Sequence, residues 1–136
     1  MGQNVSVLIV NEQIPEVGIL VNAGFVLGLT VGRLLPQDTF GPDVTDGDGE
    51  KHTFLTRIGH YVRKASPNKL VALRQKFATT QGVVLVDYTE DAAPADYEAY
   101  TTSLGAHRGP EISYRAIYVY GPEEIIVPLT KNLSRL

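Results

Sequence analysis

The chain has 136 residues, 43% of them hydrophobic, with no cysteine. That is enough for one domain around one core, and it excludes a disulfide framework and a thiolate zinc site. The net charge of −3 hides a basic block: residues 51–86 carry seven bases and no acid, while residues 1–50 carry seven acids and one base.

The first element is "VSVLIV" (5–10), a short β-branched run that reads as a strand buried on both faces. A loop containing Pro15 follows, and then "GILVNAGFVLGLTVG" (18–32). Only sixteen residues separate Glu16 from Arg33, fewer than the ~20 apolar residues that cross a bilayer. No membrane partner is therefore expected. A dinucleotide loop needs clustered glycines at the strand-to-helix turn, and Gly18 stands there alone. The remaining reading is a buried helix from Gly18 to Leu34. Positions four apart share a helix face, so Gly24, Gly28 and Gly32 make a smooth stripe. It serves either close docking on the helix's own sheet or a subunit interface. We expect a homodimer.

"GPDVTDGDGEKHTF" (41–54) predicts two short strands around a Gly-Asp-Gly turn. Asp46, Asp48 and Glu50 have calcium-loop spacing, but Lys51 and Arg57 stand where that loop needs glycine and a bidentate glutamate. No metal is expected, and no cofactor. "GHYVRKA" (59–65) predicts a charged strand near a sheet edge. Ser66-Pro67 then gives an N-cap and a first-turn proline. The helix they start buries Leu70, Leu73 and Phe77.

"GVVLVD" (82–87) predicts a second buried strand. A helix from Pro94 to Leu104 should follow, with Tyr97, Tyr100 and Leu104 inward. "ISYRAIYVY" (112–120) predicts a long strand. "GPEEIIVPLTKNL" closes with a short helix begun by Pro122, where Glu123 and Glu124 match the dipole and Pro128 should kink or interrupt it. This alternation of buried strands and helices predicts residues 1–136 as a single three-layer α/β/α domain. Its sheet should be mixed and mostly parallel, with about four strands plus a small hairpin.

Three stretches carry a resemblance: "VLIV" leading into "GILVNAG", the strand ending "VVLVDYT", and the close "IYVYGPEEIIVPLTKNLSRL". Together they resemble an uncharacterised bacterial group, the domain-of-unknown-function family numbered two thousand, which has a type II peptidyl-tRNA hydrolase-like fold. The hydrolases' Gly-Lys pair matches Gly18-Ile19, so the lysine is missing here. Their strand-end aspartate matches Asp87. Their threonine position is filled by Asp91, with Thr89 two residues before it.

The missing lysine leads us to expect a binding or regulatory module, and with only "MGQN" before the first strand a cytoplasmic protein is expected. The alternative is an ester or amide hydrolase, peptidyl-tRNA hydrolase-like, that uses Asp87 and Thr89. Ligands of open α/β sheets sit beyond the carboxyl ends of strands. That nominates Asn11, Gly18 and Asn22 for binding, together with Arg63, Lys64 and Ser66 from the basic block. The block should attract an anionic small molecule, a nucleotide or a nucleic acid.

Overall fold

The computed structural model describes residues 3–136. Strand β1 (Asn4–Asn11) lies at the centre of a five-stranded sheet. Its period-two alternation sends Val5, Val7 and Ile9 into one apolar cluster, and Leu8 and Val10 into another on the opposite face. Helix α1 (Val17–Gly32) covers the second face with Leu20, Ala23, Leu27 and Val31. Helices α2 (Pro67–Ala78) and α4 (Glu123–Thr130) cover the first, with Leu70, Leu73, Phe77 and Ile126 buried there.

The other strands of this sheet are β4 (Gly59–Ala65), β5 (Val84–Thr89), β6 (Tyr114–Pro122) and β7 (Ser134–Arg135), in the order β5-β6-β1-β4-β7. A separate hairpin pairs β2 (Val44–Thr45) with β3 (Lys51–His52). The expected mostly parallel sheet is corrected. Only β1 and β4 pair in parallel, and the three other pairings are antiparallel. The cause is one insertion. Strands β1, β4 and β5 do run the same way, as helical crossovers require. Strand β6 runs against them and lies between β1 and β5, so it takes the hydrogen bonds they would otherwise share.

Local chemistry explains some element ends. Ser66 Oγ accepts from Lys69 N at 3.2 Å and starts α2. The Asp46 carboxylate is spent on the β2–β3 turn, accepting from the backbone N–H groups of Asp48 and Glu50. Pro128 does not end α4, which continues to Thr130. The N–H it lacks would have bonded only the carbonyl of Glu124, so a single bond is lost in the last turns of a short helix.

Three further expectations change. Helix α1 is not buried all round: Val17, Val21, Phe25 and Leu29 are exposed. Of the glycine stripe, only Gly24 packs closely, where a Cβ would meet Leu8 Cδ2 at 3.1 Å, while Gly28 and Gly32 face open space. Helix α3 (Tyr97–Gly105) has no buried residue, and Tyr97 is 80% exposed rather than inward.

Candidate functional site

Strand β5 is an edge strand, and among the described residues nothing pairs with its outer side. Its alternation turns Val84, Val86 and Tyr88 toward α1 and Leu85 toward α2 and α4. Tyr88 is held at both its hydroxyl and its ring. Its hydroxyl donates to Asn22 Oδ1 of α1 at 3.2 Å. Its ring lies 5.7 Å from the Arg115 guanidinium, which is itself paired with Glu90 at 2.6 Å.

Beyond β5 the chain makes a single 3-10 turn at Glu90–Ala92 and then builds α3. Asp96 caps α3 by accepting from Glu98 N and Ala99 N. Just before it, Ala95 has φ 57°, a left-handed conformation uncommon for a residue with a side chain. The far end of α3 is tied down by Asp91, whose Oδ1 accepts from Ser103 and, at 2.8 Å, from His107 Nδ1. These bonds, Ser103's above all, hold the Asp91 carboxyl below the ordinary aspartate range against the opposing effect of burial.

A cleft of 390 Å³ lies between these elements. Val26, Leu27 and Thr30 of α1 form one wall, Tyr97 and Tyr100 of α3 the other, and β5 the floor through Val86, Asp87 and Tyr88. The two α3 tyrosines meet edge to face, with ring centroids 5.4 Å apart. Burial, and then the nearby Asp87 carboxylate, push the Tyr100 phenol above the ordinary tyrosine range, so it stays a hydrogen-bond donor. The lining holds two carboxylates, Asp87 and Asp96, and no lysine or arginine. Thr30 is the one hydroxyl in the lining besides the tyrosines, and it donates to Val26 O. The cleft is thus mainly apolar and aromatic, and both of its carboxylates already have partners, Asp87 in Arg74 and Asp96 in the first turn of α3.

The residues nominated from sequence do not form one site. Asp87 reaches the cleft floor, but its Oδ2 accepts from Arg74 Nε of α2 at 3.1 Å. Asn22 is spent on Tyr88. Asn11 ties loops together, donating to Tyr114 O and accepting from Gln13 N. Gly18 lies in the first turn of α1 in open space, and Ser66 is the α2 cap. Arg63 and Lys64 are adjacent on β4 and so project to opposite faces of the sheet. Arg63 stacks over Tyr61 at 5.5 Å, and Arg74 stands at the opposite sheet edge beside β5. Arg63, Lys64 and Arg74 therefore do not share one surface.

Thr89 is 2% exposed, and its hydroxyl makes no hydrogen bond of normal geometry among the described residues, although it lies close enough to Asp91 to help keep that carboxyl ionised. A buried hydroxyl without a partner costs about 1–3 kcal/mol. Thr89→Val should therefore raise stability by about 1 kcal/mol in urea unfolding. A loss of that size would show instead that the hydroxyl bonds Asp91.

Sequence reasoning missed Tyr97, Tyr100 and Asp96. A signal was present. Asp96 followed by tyrosines three apart puts a cap and two aromatic rings on one side of a helix that has no continuous apolar stripe.

The family described as a protein of unknown function (DUF2000) matches over residues 5–136. No curated protein matches. Among solved structures, a protein of unknown function from Agrobacterium tumefaciens strain C58, Atu0240, is similar with a TM-score of 0.79 at 14% identity, covering 100% of this chain and 99% of its own. At that identity the likeness shows a shared fold.

Proposed function

We propose a small-ligand-binding function for this chain, which belongs to the DUF2000 family, with the cleft between α1, β5 and α3 as the binding site. The observation that carries it is the lining: Tyr88, Tyr97 and Tyr100 with the Asp96 carboxylate around 390 Å³, the second carboxylate, Asp87, being paired with Arg74. That volume lies within the roughly 300–1,000 Å³ of small-molecule sites. Aromatic faces and carboxylates both attract positive charge. The ligand is a small molecule with a flat apolar body and an amine or other cationic group. The lining has no histidine or serine, and its threonine is bonded to backbone, which supports binding or regulation over turnover. Two facts weigh against the hydrolase alternative with a type II peptidyl-tRNA hydrolase-like fold: Asp87 is engaged by Arg74, and Thr89 is buried.

A second reading has its own observation. Arg63 and Arg135 stand opposite each other across β4 and β7, an arrangement that like charges disfavour. Arg63 also lines a 260 Å³ cavity with Tyr61 and Lys131, beside Glu123. An anion such as phosphate would relieve this repulsion, in keeping with the ligand expected from the basic block.

One experiment tests both readings. Thermal unfolding is followed with a panel of aromatic amines and a panel of phosphates and nucleotides, for wild type, Tyr100→Ala and Arg63→Ala. The cleft reading expects stabilisation by an amine that Tyr100→Ala abolishes and Arg63→Ala leaves intact. Stabilisation by anions alone, lost in Arg63→Ala, would replace it with the second reading. No stabilisation by either panel would remove both.

A further inference from the structure

We infer that the outward face of α1 is the interface of a homodimer in which the helix packs against its own copy. The sixteen residues of α1 contain no charged side chain. Only one side of the helix is used inside the domain. Val17 is 72% exposed, Val21 63%, Phe25 64% and Leu29 69%. These four follow one another at intervals of four and so form a single ridge along the helix. Beside the ridge, Gly28 and Gly32 face open space. Gly28, inside the helix, is less favourable there than alanine, with no contact inside the domain to explain it.

A ridge of bulky side chains next to a trough of glycines is complementary to itself. Two copies related by a two-fold axis place the ridge of each in the trough of the other, which is the isologous arrangement of most dimers. The apolar surface continues past the helix. Val62 and Leu136 flank it across a 280 Å³ groove that also contains Val17, Val21 and Gly24. Counting the exposed parts of the ridge with Val62 and Leu136, each copy offers on the order of 700 Å², close to the roughly 800 Å² per partner of a standard-size interface. Isolated monomers seldom expose a continuous apolar patch of more than about 300–600 Å².

The occupant is a second copy rather than a lipid surface. Helices that lie on membranes carry lysine and arginine on their polar face. Helix α1 has none, and Glu16 immediately precedes it. Between two copies, the uncharged face brings no like charges together.

Sedimentation velocity at micromolar concentrations, with circular dichroism as the control for folding, tests this on wild type, Phe25→Glu, Gly28→Leu and Leu55→Glu. Wild type is expected at twice the monomer mass. Phe25→Glu should weaken association at least tenfold. Gly28→Leu should do the same while staying folded, because a side chain there meets nothing within the domain. Leu55→Glu, at a residue 82% exposed elsewhere, should leave the dimer intact. A monomeric wild type overturns the inference, including one that binds phosphatidylcholine–phosphatidylserine vesicles. So does a dimer that survives Phe25→Glu, which would place the interface on another surface.

Discussion

Asp91→Ala is expected to free α3 from the domain while the sheet stays folded. The helix has nine residues and no buried side chain. A helix that short is marginal in water by itself. Its far end is held to the strand-end turn by the bonds from Ser103 and His107 to Asp91. Without that carboxylate, amide exchange across Tyr97–Gly105 should quicken by roughly tenfold or more, as for other locally opening segments. Exchange in β1 and β6 should hardly change. Ligand binding in the cleft should fall too, since α3 is one of its walls. Acid should act in the same direction. The Asp91 carboxyl titrates below its unfolded value. Its contribution is therefore present above pH of about 4, the unfolded aspartate value, and is lost as pH falls through the lower folded value. Unchanged exchange in α3 after Asp91→Ala would mean that the helix is held by something else.

Phe77→Ala should have the largest effect on overall stability. Phe77 is 1% exposed and is the largest of the fully buried side chains. It closes the cluster formed by α2, α4 and one face of β1 and β6. Removing a buried phenylalanine ring typically costs about 3–5 kcal/mol, against a total of roughly 5–15 kcal/mol for a domain. Urea unfolding should show a midpoint lowered accordingly with an unchanged slope. Tyr97→Ala, at an exposed ring, is the comparison and should shift the midpoint little. A loss below about 1 kcal/mol at Phe77 would show that this cluster relaxes around the gap, as surface sites do.

Short-range signals in the sequence were read well. Ser66-Pro67 marks the start of α2 because a serine hydroxyl and a proline each suit a helix start by their own chemistry. Leu70, Leu73 and Phe77 lie at helical spacing and are all buried. The Gly-Asp-Gly turn sits between β2 and β3 as expected. Partnerships between distant segments were not legible. Nothing within "ISYRAIYVY" says that it enters the sheet between β1 and β5, since its pattern fits either neighbour. Helix α1 misled for a related reason. It is apolar on every side, so periodicity could not say which side meets the sheet. The site residues failed in a third way. Arg63 and Lys64 are neighbours in sequence, yet strand geometry sends them apart. Asp87 was singled out without its partner Arg74, because an ion pair between a strand and a preceding helix leaves no mark in spacing.

The position of β6 also governs how the chain reaches this state as it is synthesised. Strand β1 pairs with β6 from Asn4 opposite Pro122 to Val10 opposite Ala116, so its partner on that side emerges from the ribosome more than a hundred residues after it. Until then β1 has only β4 beside it, and β5 has no partner in the sheet at all. Contacts this far apart in sequence slow the search for the native state, and unpaired strand edges invite association with other nascent chains. The first eighty-nine residues hold β1, β4 and β5, yet they cannot close the sheet. Between the synthesis of β1 and that of β6 the sheet is an incomplete template, and its closure waits for one strand.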